Sequence, residues 1–294
     1  MRAQIAANIL AQLGRFDVPI GIGRYTGDQN MPQYPIAQGY SLSRFVASGG
    51  NITVGTATMQ AIMEAATPAS PVYVIEIAPA TSLGDVLAAN PAAAASCVTV
   101  AMSGSIYVGY LNSSSPAAEY NVVRDIAASQ RMYNASWLRP LVTAPLDTTD
   151  FVQFNGPTYA ALLAANDSSH AHVSTLLANY VAWWQNGGKD FSALLPFSPS
   201  TGTDDLYDVQ AAWMTGAYVA AAAATGGERA PPPPPAFPHI VTQGLPLRVT
   251  DSGYTVIDAV AGTLAYPATS FTTYAYNATA AIGADIIASI VAAM

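Results

Sequence analysis

Apolar residues change their period along this chain, and each change marks an element. Ile5, Ile9, Leu10 and Leu13 recur at helical spacing, and Gly14 supplies the stop that a helix C-terminus favours. Val18-Pro19-Ile20-Gly21-Ile22-Gly23 then reads as a short strand. The alternation repeats downstream. It gives a helix over 56–66, a buried strand over 72–77, a helix over 81–89 and an apolar strand over 97–102. Asp125 is placed to cap an Ala-rich helix running to Asn134, and 141–144 is a further strand. Strands separated by helices at this spacing predict an α/β fold, a mostly parallel mixed sheet flanked by helices. The second half is richer in helix, over 157–165, 173–185 and 205–224, with strands expected at 240–249, 254–257 and 271–276 and a closing helix at 278–293. The whole reads as one domain over 1–294, and the Pro-rich stretch 226–238 reads as a loop insertion, since a run of prolines fits neither helix nor central strand.

Composition narrows the ligand. Of 294 residues, 51% are hydrophobic and 10% charged, too apolar for a disordered chain. Eighteen acids against ten bases give a net charge of −8, and no Lys/Arg cluster is present to displace counterions from a phosphate backbone. Nucleic acid is excluded, and a small neutral ligand, or one held through a cation, is expected. The longest apolar run, 211–225, is too short and Ala-rich to span a bilayer, so no membrane partner is expected. Cys97 stands alone at the start of an apolar run and reads as a buried small hydrophobe. The first ten residues lack an apolar leader core, which favours the cytoplasm. Five Asn-X-Ser/Thr sequons, at Asn51, Asn112, Asn134, Asn166 and Asn277, keep secretion as the alternative.

In an α/β sheet ligands collect beyond the carboxyl ends of the strands. Three such ends carry informative residues. Ala78-Pro79-Ala80-Thr81-Ser82 follows the most apolar strand, and taken by itself it is an ordinary turn with Thr81 as helix cap. Val100-Ala101-Met102-Ser103-Gly104 leads through a Gly/Ser/Asn loop to Ala118-Glu119-Tyr120-Asn121. If that segment is extended, Glu119 and Asn121 point the same way and converge on vicinal hydroxyls; a solvated loop is the equal alternative. Asp204-Asp205-Leu206-Tyr207-Asp208 opens a helix that is apolar all round, which predicts its burial. Acids at a helix start complement its dipole, but Asp208 at the mouth of a buried helix calls for a cation such as Ca²⁺ or a donor. Asp147 reads as a turn residue on the ligand side, and His170, His172 and His239 as surface residues without carboxylate partners.

Taken in order, Leu13-Gly14-Arg15-Phe16-Asp17-Val18-Pro19-Ile20, Ala78-Pro79-Ala80-Thr81-Ser82, Val100–Gly104, Ala118–Asn121, Ala144-Pro145-Leu146-Asp147 and Leu206-Tyr207-Asp208 resemble the inosine–uridine-preferring nucleoside hydrolases. The resemblance runs from the first helix to near the C-terminus. It implies calcium-dependent hydrolysis of the N-glycosidic bond of ribonucleosides, with a metal-bound water attacking the anomeric carbon. It implies that Glu119 and Asn121 hold the ribose hydroxyls, that Met102 lines the sugar pocket, and that Thr81 (through its carbonyl) and Asp208 bind Ca²⁺. Asn112 stands one place from the family's loop asparagine, and Tyr207 stands where many members carry a histidine that assists the leaving base. A nucleoside or ribose partner and a homo-oligomer follow from the same likeness. Base contacts would come from within 167–204, where Trp183 and Trp184 could stack on a base or merely pack.

The family's Asp-x-Asp-x-x-x-Asp-Asp signature has no counterpart in this sequence. The expectation is therefore an N-terminally incomplete member lacking the first strand region and the general base, with weak calcium binding and impaired hydrolysis. The alternatives are a non-catalytic ribose or nucleoside binder and an interaction module.

Overall fold

The computed structural model describes residues 2–25, 39–150, 152–166, 170–188, 200–224, 237, 239–270 and 276–292. In chain order the first elements are α1 (Arg2–Gln12), β1 (Ile20–Ile22), α2 (Leu42–Ala47), β2 (Ile52–Val54), α3 (Ala57–Ala65), β3 (Val72–Glu76) and α4 (Thr81–Ala89). Next come β4 (Cys97–Ala101), α5 (Tyr120–Val123), α6 (Ile126–Asn134), β5 (Leu141–Thr143), α7 (Leu146–Thr149), α8 (Gly156–Ala164) and α9 (Ala171–Trp183). The chain continues with α10 (Val209–Ala224), β6 (Ile240–Thr242), β7 (Leu245–Val249), β8 (Thr255–Ile257), β9 (Thr263–Ser270) and α11 (Tyr276–Ala292). Two compact units form, one from Met1–Thr58, Phe154–Asp204 and Ile287–Met294, the other from Met59–Gln153 and Asp205–Ile286. The Pro-rich stretch 226–238 lies, but for Phe237, outside the described residues.

In the first unit β1 and β2 pair in parallel, Ile20 beside Ile52. Gly14, in the left-handed region at φ 66°, ends α1 as its position predicts. Ala7, Ile20 and Phe45 form a small buried cluster.

The second unit carries the main sheet, in the order β3-β4-β5-β9-β7-β8, with β6 also on β9. The strands β3, β4, β5 and β9 run parallel, while β6 and β7 run antiparallel to β9. The expected α/β architecture with a mixed, helix-flanked sheet is what forms. On one face α4 and α6 pack closely, because Gly84 leaves no Cβ to strike Ala128, which would lie 2.5 Å away. Leu83, Val86, Leu87, Met132, Tyr133 and Leu247 are buried in that core. Cys97 is buried as expected, its thiol donating to the Ala93 carbonyl at 3.2 Å.

Sequence and structure part company at several places, and one expected strand cannot be compared. The central strand β9 was not expected, since Ala and Pro267 argue against a strand. Opposite Pro267, which has no N–H to donate, the expected strand 240–249 breaks into β6 and β7. Register is kept across the break: Thr242 faces Ala268 and Leu245 faces Ala265. The expected strand 271–276 lies outside the described residues except for Tyr276, which begins α11. Finally, α10 is not buried all round. Gln210, Ala211, Met214, Thr215 and Tyr218 are buried and Val219 is exposed, a single stripe at helical spacing, since alanine is indifferent to either side. Among the described residues no helix is long and apolar enough to cross a membrane.

Candidate active site

Because β3, β4 and β5 are parallel, their carboxyl ends lie along one edge of the sheet, and the residues that follow them are brought together there. Beyond β4, the Ser103 carbonyl accepts from the Thr143 hydroxyl at 2.8 Å and from Tyr133 at 3.2 Å. Gly104 then turns the chain at φ +93°. A Cβ there would lie 2.8 Å from Thr255 Oγ1 and 3.0 Å from the Tyr133 hydroxyl, so only glycine meets both the dihedral and the space. Its N–H donates to Glu119 Oε2 at 3.2 Å, and its carbonyl accepts from the Leu146 N–H at 3.0 Å.

Glu119 is 2% exposed and is the N-cap of α5. Its carboxylate accepts from the N–H groups of Asn121 (2.8 Å), Val122 (3.3 Å) and Gly104. Burial pushes its pKa up to about 7, against the downward pull of those three donors; the neighbouring Asp208 charge adds to the rise. Asn121 Nδ2 donates to the Met102 carbonyl at 3.0 Å and approaches its sulfur at 3.3 Å. Three expected site residues, Met102, Glu119 and Asn121, are thus gathered. They meet by a different route from the expected one. Asn121 lies in the helical turn α5, not in an extended segment, so cap geometry brings it to Glu119. Asp125 caps α6 as expected, accepting from the Ala128 N–H at 3.1 Å.

Residues 105–117, which run between β4 and α5, are held by two acids three residues apart. Asp147 is 4% exposed, and its two oxygens accept from the N–H groups of Ile106 and Tyr107, both at 2.8 Å. It is a turn residue whose carboxylate is committed to the loop. Asp150 Oδ2 accepts from the Asn112 N–H at 2.8 Å, and Asp150 Oδ1 from the Tyr207 hydroxyl at 3.4 Å. Burial raises the pKa of both acids, opposed by these donors. Leu111 and Asn112 both sit in the left-handed region, at φ 58° and 56°, which costs on the order of 1–3 kcal/mol for each non-glycine residue. Tyr110 closes the arrangement: its hydroxyl accepts from the Tyr120 N–H at 2.8 Å. Burial and then the Glu119 charge push its pKa up to about 12. Asp150, Tyr110 and the Gly104 N–H were missed in the sequence. The Asp147/Asp150 spacing was the available signal, since residues three apart share one side of a helical turn.

Thr81 is the first residue of α4 rather than its cap, which is Ala80. Its hydroxyl donates to Asp125 Oδ2 at 2.8 Å. Asp208 stands exposed just before α10, where neighbouring protein atoms that strip water from its carboxyl raise its pKa above the usual carboxylate range. The acidic run disperses, since Asp205 Oδ1 accepts from Gln153 Nε2 at 2.9 Å. His239 has the carboxylate partner it was not expected to have, Asp285 at 2.8 Å, brought from 46 residues away by the fold. Trp183 and Trp184 stand edge to face, 6.3 Å apart, in the other unit.

A profile of the inosine-uridine preferring nucleoside hydrolases matches residues 2–282. The chain belongs to that family. Its fold is similar to that of a plant nucleoside hydrolase, with a TM-score of 0.60 at 12% identity over 97% of this chain and 85% of the other. It is similar to the inosine-uridine preferring nucleoside hydrolase of Bacillus anthracis, with a TM-score of 0.58 at 14% identity over 99% and 85% of the two chains. It is also similar to the purine-preferring ribonucleoside hydrolase of Gardnerella vaginalis, with a TM-score of 0.59 at 13% identity over 99% and 86%. At these identities the likeness speaks for the fold. A comparison with curated proteins gives no match.

Family membership makes calcium the cation to test against the donor set. Ca²⁺ takes about six to eight oxygens. Of the expected ligands, Asp208 offers one carboxylate and Thr81 one carbonyl, while Glu119 already accepts three N–H donors. Among the described residues no three His, Cys, Asp or Glu gather to hold a metal. The described residues alone therefore do not fit a calcium cage.

Proposed function

We propose that this chain hydrolyses the N-glycosidic bond of ribonucleosides to free base and ribose, and that the sugar binds against Glu119. One observation carries this reading: in a member of this family, a carboxylate only 2% exposed is fixed by three backbone N–H groups beside Met102 and Asn121. Two oxygens with lone pairs to spare are acceptors for vicinal ribose hydroxyls, and the Asn121 carbonyl oxygen is a further one, its amide nitrogen being engaged by Met102. The preformed cap fixes the carboxylate before substrate arrives, so little is lost in ordering it.

The same environment favours the transition state over the ground state. As the C–N bond to the base breaks and water approaches the anomeric carbon, the ribosyl ring gains positive charge. A carboxylate in a low-dielectric pocket interacts with that charge more strongly than one in water. Glu119, poised to titrate near neutrality, is drawn to its ionised form by the developing cation. Its part is to hold and orient the sugar and to stabilise charge; it does not transfer a proton in this scheme.

The test is ribose release from a panel of purine and pyrimidine nucleosides, with calcium and with chelator, for the chain and for Glu119→Ala. We expect release by the parent chain and a loss of about a hundredfold or more in the variant. A folded parent chain that binds D-ribose but releases none from any nucleoside would sink the hydrolytic reading and leave a sugar binder.

A further inference from the structure

Asp150 joins two segments far apart in the chain, the loop at Asn112 and the turn before α10 at Tyr207. From β5 the chain enters α7, and the residue that ends this turn is Asp150, 3% exposed. One oxygen holds the backbone of Asn112; the other receives the hydroxyl of Tyr207. The Asn112 side leads to Glu119 by geometry: the hydroxyl of Tyr110, two residues before Asn112, accepts from the N–H of Tyr120, the residue after Glu119. The Glu119 charge also acts on Tyr110, and the Asp208 charge, next to Tyr207, acts on Glu119. The Asn112 link bears on strained backbone, because Leu111 and Asn112 are both left-handed without being glycine. A backbone of that kind persists only where its surroundings dictate it. The neighbouring contacts are local to the loop: Gly109 N–H to the Ser113 carbonyl, and Ser113 N–H to the Tyr110 carbonyl. They close the turn without tying it to the sheet. The tie is Asp150.

We infer that Asp150 is a positioning residue for the sugar pocket, holding the strained 110–112 turn and Tyr207 in one arrangement around Glu119. It does not touch the reacting atoms. Its carboxylate does what a neutral side chain of the same size does less well, accepting from both partners at once without presenting a donor to either. Asp147 differs in this respect. Both of its oxygens serve neighbouring N–H groups of the same loop, and neither reaches across to Tyr207. The inference rests on the reading of Glu119 as the sugar-binding carboxylate, and the experiment separates the two.

The experiment uses the full chain and D-ribose as probe, with affinity measured by calorimetry and backbone amide exchange over 109–113 by mass spectrometry. The variants are Asp150→Ala, Asp150→Asn and Asp150→Ala combined with Leu111→Gly. In Asp150→Ala, ribose affinity is expected to fall about tenfold or more, with faster exchange at 109–113 and the folded baseline kept. Asp150→Asn should lose less, since its amide oxygen still accepts the Asn112 N–H. Adding Leu111→Gly should recover a part of the affinity lost in Asp150→Ala, because glycine accepts the left-handed conformation without strain. A merely structural role would not respond to that second change. Unchanged ribose affinity in folded Asp150→Ala would overturn the inference, and so would unchanged exchange at 109–113. If the parent chain binds no ribose, the reading of Glu119 fails, and amide exchange still decides whether Asp150 holds the turn. Should Asp150→Ala not fold, Asp150→Asn with and without Leu111→Gly carries the same comparison.

Discussion

Glu119 and Asp258 both gather backbone N–H groups of a turn, yet their electrostatics are opposite. Each carboxylate gathers the N–H groups of a turn: Asn121, Val122 and Gly104 for Glu119, Val260 and Ala261 for Asp258. Asp258 adds the Arg248 guanidinium at 2.6 Å. Yet Glu119 is pushed up to about 7, and Asp258 is drawn down to about 2. The side-chain bond from Arg248, and then the backbone N–H groups, lower Asp258 in a place where water still reaches the carboxyl. Around Glu119 the N–H donors are outweighed by the loss of water. Backbone donors set where a carboxylate points; burial, and whether a guanidinium stands beside it, set whether it is charged. A site that must hold neutral hydroxyls and then answer a developing cation needs the buried version; a turn that must only stay closed does with the exposed one.

Substitutions rank by how deeply they cut into this contrast. Gly104→Ala should be the most damaging, because it strains a left-handed position and drives a methyl into Thr255 and Tyr133. A loss of about 2–4 kcal/mol in denaturant unfolding is expected, with ribose binding abolished as the Glu119 cap is displaced. A stable Gly104→Ala chain with unchanged ribose affinity would show that the N–H at 104 does not position Glu119. Next comes Glu119→Ala, which should weaken ribose binding by about a hundredfold at pH 8, measured by calorimetry. A drop of less than threefold would remove Glu119 from the site.

The pH responses sharpen the contrast without mutation. A carboxyl raised in the folded state favours folding while it is protonated. Stability from Glu119 is therefore present below its unfolded value near 4.5 and lost as the pH rises through about 7. Ribose affinity should move the other way, rising through the same range as the acceptor ionises; a flat affinity between pH 5 and pH 8 would contradict the assigned role. Asp258 has the opposite sign. Its stabilisation is present above about 3.8 and lost as the pH falls towards about 2. Because the pair with Arg248 is at the surface, the effect is the smallest here. Asp258→Ala should lower the melting temperature at pH 7 by about a degree or two, and by less at pH 3. A fall of ten degrees at pH 7 would show that the turn at 258–262 matters to the core.

Much of the fold was legible. The strands at 72–76, 97–101 and 141–143 announce themselves as apolar runs between helices, and Asp125 caps its helix where the sequence places it. The candidate residues Met102, Glu119 and Asn121 were legible from resemblance and do converge. Less legible were β9, masked by Ala and Pro267, and the helical turn α5, too short to show a period. Asp150 escaped notice because its partners Asn112 and Tyr207 are 38 and 57 residues away. His239 was read as unpartnered for the same reason, with Asp285 lying 46 residues away.

What the sequence by itself determined is what depends on neighbours along the chain: helix and strand period, the stop at Gly14, the cap at Asp125, and the ordered residues that mark the family. Tertiary structure alone decided which acids are buried, which of them hold backbone across the sheet edge, and where Pro267 interrupts a ladder without ending its register. The division has a physical cause. Backbone preferences are local and act within a few residues, whereas desolvation and long-range hydrogen bonds exist only once the parallel strands have brought their carboxyl ends together.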